Sequence, residues 1–223
     1  MDQGLFLNLL FSLEKVSHKS LMLGKKFPWE ILDHLRDYVD SYKDLGKIDS
    51  PLPKGLNLIN PELISIGKDV HIAAGATLEG PCIIGPGCQI RSGAFVRAYT
   101  VLEEHVTIGH CTECKESLFL PYAKAPHFNY VGDSIIGCNV NLGAGVTCAN
   151  LRLDHKEISV TDKEGERVKT GRNKLGAIIG DGSQIGCQSV INPGIILKKG
   201  SLIRPLTSVS CSNIRLFYAS EKK

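Results

Sequence analysis

Between Leu120 and Asn150 the chain reads LPYAKAPHFNYVGDSIIGCNVNLGAGVTCAN, a stretch that mixes a histidine with lysines, asparagines, a tyrosine and closely spaced glycines. His127 is the residue there best suited to move a proton, because an imidazole with a pKa near 6.5 accepts one at neutral pH. Backbone N–H groups in a glycine-rich turn such as Gly143 to Gly145 can hold a developing oxyanion. Each feature also has a plainer use: a loop histidine is often just solvated, glycines turn corners, and Asn141 and Asn150 could stack as a structural asparagine ladder. The position of the stretch favours the chemical reading, since it falls where a long repeat breaks off and restarts. We read the break as the candidate active site.

That repeat must position these residues. From Ile66 large apolar residues recur every six positions: Ile72, Leu78, Ile84, Ile90, Val96, Leu102, Ile108, Cys114 and Leu120. Small or medium residues such as Val70, Ala76, Cys88 and Ala94 follow four positions behind the large ones. A strict period of six fits neither a helix nor an alternating strand, but it fits a β-solenoid in which each hexad gives one short face and a corner. The ladder resumes in a second phase at Tyr130, Ile136, Leu142 and Cys148, and in a third from Ile179 through Ile185, Ile191, Leu197 and Ile203 to Val209. Two phase changes predict two insertions, one around Tyr122 to Asn129 and one over the polar excursion 151–174, which is too hydrophilic to enter the core. At three hexads per coil the body should have about six coils.

Ahead of the ladder the texture differs. Leu5 to Glu14 and the segment PWEILDHLRDYVDSYK, with Pro28 at a first helical position, predict two short helices, and SPLPKGLNLINPEL reads as a linker. The expected organisation is a helical segment and linker over 1–60, a solenoid over 61–212 and a tail over 213–223. With 43% hydrophobic and 22% charged residues among 223, and a net charge of +3, the chain is an ordinary globular sequence without a charge run that would grip nucleic acid. The N-terminus lacks a basic leader region and no apolar run approaches the ~20 residues of a membrane span, so a cytoplasmic protein is expected. The eight cysteines are scattered and should be free thiols. The single CxxC, Cys111 and Cys114, lacks the second pair that a structural zinc site needs, and the spacing of His105 and His110 fits a zinc centre poorly.

The hexad pattern resembles that of the hexapeptide-repeat acyltransferases, which implies an all-β, left-handed parallel β-helix and a homotrimer with sites between subunits. The segment HFNYVGDSIIGCNVNLGAGVTCAN resembles the acetyltransferase half of bifunctional glucosamine-1-phosphate acetyltransferase / N-acetylglucosamine-1-phosphate uridyltransferase. NLRLD and GRNKLGAIIGD are similar to the related sugar-1-phosphate nucleotidylyltransferases with an amino-sugar acetyltransferase domain, and FPWEILDH to their linker helix. The resemblance covers about residues 27–210. It implies an acetyltransferase using acetyl-CoA with no metal required, acting on an amino-sugar 1-phosphate, glucosamine-1-phosphate first among them, on the route to UDP-N-acetylglucosamine. No glycine-rich nucleotide-binding segment precedes the helix, so a stand-alone acetyltransferase is expected.

Residue by residue, the resemblance makes His127 the general base. Tyr130 contacts the sugar phosphate, Arg97 and Lys115 bind the phosphate, and Asn141 and Asn150 hold the sugar. Ala144 gives a backbone contact to the thioester, and Cys187 stands where the family has a serine near coenzyme A. A lysine is expected after the asparagine: Lys156 matches counting forward from Asn150, and Lys174 counting back from IIGD. Two other readings stand beside this one. The chain could be a non-catalytic scaffold or regulatory subunit of a separate nucleotidyltransferase, or an acetyltransferase for another amino sugar. No nucleic-acid or membrane partner is expected.

Overall fold

The computed structural model describes residues 5–161 and 167–210. The six-residue period builds a parallel β-solenoid with three faces, one sheet of eight strands and two of seven. Each coil runs through a first face (Thr77–Glu79, Phe95–Val96, Glu113–Lys115), a second (Cys82–Ile84, Thr100–Leu102, Leu118–Phe119) and a third (Gln89–Ile90, Thr107–His110, Lys124–His127). Early coils are 18 residues long, with Ile66 pairing with Ile84 and Ile84 with Leu102. Large aliphatics therefore stack directly on one another inside the tube, with Ala76, Cys88 and Ala94 filling the corners. Each buried aliphatic contributes on the order of 1.5–3 kcal/mol, so the column holds the coils together.

The first phase change is not an insertion. Leu102 pairs with Phe119 and Cys114 with Val131, and Phe119 in turn with Ile136, so these coils have 17 residues. The core residues are thus Phe119 and Val131, in place of the expected Leu120 and Tyr130. Two hexads have each lost one residue, which shifts the apolar phase just as an insertion would. Tyr122 to Asn129 continues the solenoid, with Ala123 and Ala125 fully buried. The solenoid also starts earlier than expected. Asn57–Ile59, in the stretch read as a linker, pairs with Thr77–Glu79, and Ile48, just ahead of that stretch, bridges to Ile66. With eight strands on the first face, the body has more coils than the six counted from hexads.

The second phase change is a true insertion. Ile136 pairs with Ile179, 43 residues on, and the excursion between them carries an antiparallel hairpin, Ser159–Thr161 with Arg167–Lys169. It stays out of the tube, yet Ile158, Val160 and Leu175 are buried in a second apolar layer. That layer lies over the second face, whose outward Ile83, Val101, Leu118, Ile135 and Ile178 pack against the N-terminal segment. The segment forms four short helices, Leu5–Asn8, Lys19–Met22, Glu30–Asp33 and Leu35–Asp40, with the helix expected from Pro28 interrupted at His34. Phe11, Trp29, Ile31, Leu35 and Val39 supply its buried side. Among the described residues no such layer covers the first and third faces, and the expected 213–223 tail lies outside those residues.

Candidate active site

His127 ends the third-face strand Lys124–His127, where the chain turns onto the first face, beside His110 of the preceding coil. Its side chain is exposed, while its backbone is fixed: the N–H donates to Asn129 Oδ1 (3.1 Å) and the C=O accepts from Gly145 N–H (3.0 Å). Asn129 is buried and also donates through Nδ2 to the Gly143 carbonyl at 2.7 Å. Its own N–H donates to Thr112 Oγ1, which donates on to the Ala125 carbonyl. Three coils are thereby tied beneath the imidazole. Asn129 was not singled out in the sequence; the available signal is an amide side chain at a tight corner, where backbone groups lack ladder partners.

The same corner carries Ala144 and Cys187 in the next two coils. Gln188 N–H donates to the Ala144 carbonyl (2.8 Å) and Leu206 N–H to the Cys187 carbonyl (2.9 Å). Gly143 is required here because a Cβ would lie 2.6 Å from the Cys187 nitrogen. The N–H groups of Gly143 and Gly145 are already spent on Ile185 and His127. Of the three residues proposed for an oxyanion turn, Ala144 alone keeps an unpaired N–H among the described residues.

Across the first face lies a polar cluster. Arg97 Nη1 meets Glu113 Oε1 at 2.7 Å and its Nε lies 3.8 Å from Glu79 Oε2; the hydrogen bond to Glu113 raises the guanidinium's pKa. Lys115 is buried, with its Nζ 3.1 Å from Asp133 Oδ2 and 3.2 Å from Glu116 Oε1. Burial works against the Lys115 charge, but the two carboxylates outweigh it and the pKa is raised. Asp133 is only 2% exposed and holds a left-handed backbone (φ 48°), which suits Asp and Asn. Its Oδ2 also accepts from Asn150 Nδ2 at 2.6 Å, and its Oδ1 lies 3.7 Å from Arg172 Nη2. Tyr130 and Asn150 meet above Gly132, where a Cβ would sit 2.7 Å from Tyr130 Oη and 2.8 Å from Asn150 Nδ2. Burial, the largest influence, raises the Tyr130 pKa, so its phenol remains a donor at neutral pH.

The structure therefore gathers Lys115, Tyr130 and Asn150 around Asp133, a residue that sequence reasoning missed, with Arg97 one coil away from Lys115 on the same face. His127, Ala144 and Cys187 line the corner on the other side of that face. Asn141 stands apart, on the third face between Lys124 and Gln184. Lys174 is exposed and bridges Leu151 at the base of the excursion, next to Asn150, whose carbonyl accepts from Leu175 N–H (2.9 Å). Lys156 is exposed farther along, its N–H on Asp154 Oδ1. The seven described cysteines are free thiols, and burial pushes those of Cys82 and Cys148 up to about 12. No helix among the described residues is long and apolar enough to cross a membrane.

Residues 64–98, inside this solenoid, match the family model described as bacterial transferase hexapeptide (six repeats). That part of the solenoid is thus similar to the hexapeptide repeats of bacterial transferases. Over more of its length the chain is 38% identical over 186 residues to the bifunctional sugar-1-phosphate nucleotidylyltransferase/acetyltransferase of Sulfurisphaera tokodaii, covering 82% of this chain and 44% of that one. It is 46% identical over 110 residues to the bifunctional protein GlmU of Methanococcus maripaludis, covering 49% of this chain and 26% of the relative. With GlmU of Methanococcus aeolicus it shares 38% identity over 183 residues, 81% of this chain and 42% of the relative. The chain thus spans less than half the length of these relatives.

Proposed function

We propose that this chain transfers an acetyl group from acetyl-CoA to the amine of an amino-sugar 1-phosphate, with glucosamine-1-phosphate as the first acceptor to test. The observation that carries the reading is the pairing, across one narrow face, of an exposed histidine beside a free N–H with a cluster of a buried lysine and a half-buried tyrosine and asparagine. The name of the Sulfurisphaera tokodaii relative, bifunctional sugar-1-phosphate nucleotidylyltransferase/acetyltransferase, is consistent with that chemistry.

In the proposed reaction the sugar amine attacks the thioester carbonyl. A C–N bond forms, His127 takes the proton, and the Ala144 N–H donates to the oxyanion. Collapse breaks the C–S bond, and the departing thiolate takes the proton back from His127. Lys115, Tyr130 and Asn150 hold the sugar phosphate, with Arg97 beside them; Asn141 and one of Lys156 and Lys174 complete the acceptor contacts, and Cys187 lies along the coenzyme A path. Arg97 and Lys115 are already paired with Glu113 and Asp133, so a phosphate must share them with these carboxylates.

The second face is covered by the N-terminal segment, so copies would meet through the first and third faces, where Phe128 and Leu206 stand exposed on the His127 corner. We assign a left-handed homotrimer in the cytoplasm, with the site between subunits. The internal pairing of the two basic residues also favours one competing reading, a non-catalytic subunit of a separate nucleotidyltransferase. Purified protein given acetyl-CoA and a panel of amino-sugar phosphates, with released thiol followed, separates the two. Turnover of at least one acceptor is expected; none with any acceptor would sink the enzyme reading.

A further inference from the structure

Arg172 touches three parts of the molecule at once. Its Nη1 pairs with Asp33 Oδ1 at 2.5 Å, on the N-terminal helix Glu30–Asp33. Its Nη2 lies 3.7 Å from Asp133 Oδ1, and its Nε donates to the Lys174 carbonyl at 3.0 Å. The Arg172 side chain is 17% exposed while that of Asp33 is 40% exposed, so the fork is open to solvent at its Asp33 end and enclosed at its Asp133 end, and its three partners hold the planar guanidinium in one orientation. Asp133, at the far end, is the carboxylate that grips Lys115 and Asn150. The return of the excursion is anchored next to it, through Leu175 N–H on the Asn150 carbonyl and Gly176 N–H on the Asp133 carbonyl (2.8 Å).

We propose that Arg172 is a positioning residue, a strut through which the N-terminal segment fixes the base of the excursion, and with it Asn150 and Lys174, against the acceptor end of the site. The helix of Asp33 buries Ile31 and Leu32 under the second apolar layer, so the strut starts from a rigid support. Nothing in it reaches His127 or Ala144. The strut therefore acts on acceptor binding and leaves the donor end alone. In its kinetic part this rests on the acetyltransferase reading; in its structural part it does not.

The test uses Arg172→Met, Arg172→Lys, Asp33→Asn and the Asp33→Asn/Arg172→Met double variant of the whole chain. Amide hydrogen exchange at Leu175 and Gly176 should speed up about tenfold in Arg172→Met and Asp33→Asn. The acceptor KM should rise about tenfold or more with the acetyl-CoA KM unchanged, because loss of positioning falls on one substrate. Arg172→Lys should recover part of both effects, and the double variant should be no worse than the worse single one. Unchanged exchange at both amides overturns the strut whether or not the protein turns over substrate. A rise in both KM values together, or multiplicative losses in the double variant, would reduce Arg172 to a general stabiliser. If wild type acetylates nothing while exchange responds as expected, the proposed function fails and the strut stands.

Discussion

Asp133→Asn is the sharpest perturbation of the cluster, because it removes a charge with almost no change of shape. Asn tolerates the left-handed backbone at this position, whereas Ala would add strain there. The carboxylate it replaces is 3% exposed on its side chain and faces Lys115, itself 11% exposed. Removing one partner of a buried ion pair costs about 3–5 kcal/mol, most of it the penalty for the charge left behind. Here Glu116 stays 3.2 Å from Lys115, which places the cost at the lower end, about 3 kcal/mol. For a chain of this size that is a fall in Tm of about 6–12 °C. Thermal unfolding followed by circular dichroism measures it. Adding Lys115→Met removes the stranded ammonium and should restore most of the loss. A fall below about 2 °C, or a double variant no more stable than Asp133→Asn, would refute the argument that this pair is energetically buried.

Four further outcomes are expected. Asn129→Ala strips the bonds to the His127 N–H and the Gly143 carbonyl, so it should lose about 1–3 kcal/mol in urea unfolding and lower kcat with little change in acceptor KM. Gly132→Ala crowds Tyr130 Oη and Asn150 Nδ2, and should raise the acceptor KM while moving Tm little, since both are ends of flexible side chains. Gly143→Ala is the opposite case: its Cβ would meet the backbone of Cys187, so Tm should fall clearly. The raised Lys115 pKa sets a pH dependence. Its contribution to stability is fully present below the ordinary lysine value of 10.5 and is lost as pH rises through the higher folded value. Urea midpoints of wild type minus those of Lys115→Met should therefore be flat from neutral pH to about 10 and shrink above that.

The solenoid was legible in the sequence because its core residues face one direction and repeat at a fixed interval. The two shortened coils were not, since Phe119 and Leu120 are both apolar, as are Tyr130 and Val131, and only strand register decides which of each pair points inward. Ala125, at a core position, is too small to stand out in an apolar ladder. The start of the solenoid hid behind prolines and an irregular first coil, in which Leu58 pairs with Leu78, 20 residues on. At the site, His127 and the cluster around Lys115 could be named from local motifs. Asp133, Asn129 and Arg172 could not, because their importance lies in contacts between distant positions; Arg172 and Asp33 are 139 residues apart.

The central claim is that His127 serves as the base for acetyl transfer on this corner. It is tested most directly by the rate of acetyl-CoA-dependent thiol release with glucosamine-1-phosphate, in wild type and in His127→Ala. The imidazole is exposed and the backbone bonds of residue 127 do not involve it, so the variant should fold with an unchanged unfolding midpoint. Its turnover should drop on the order of 10²–10⁴-fold. A His127→Ala protein that works as fast as wild type would contradict the account.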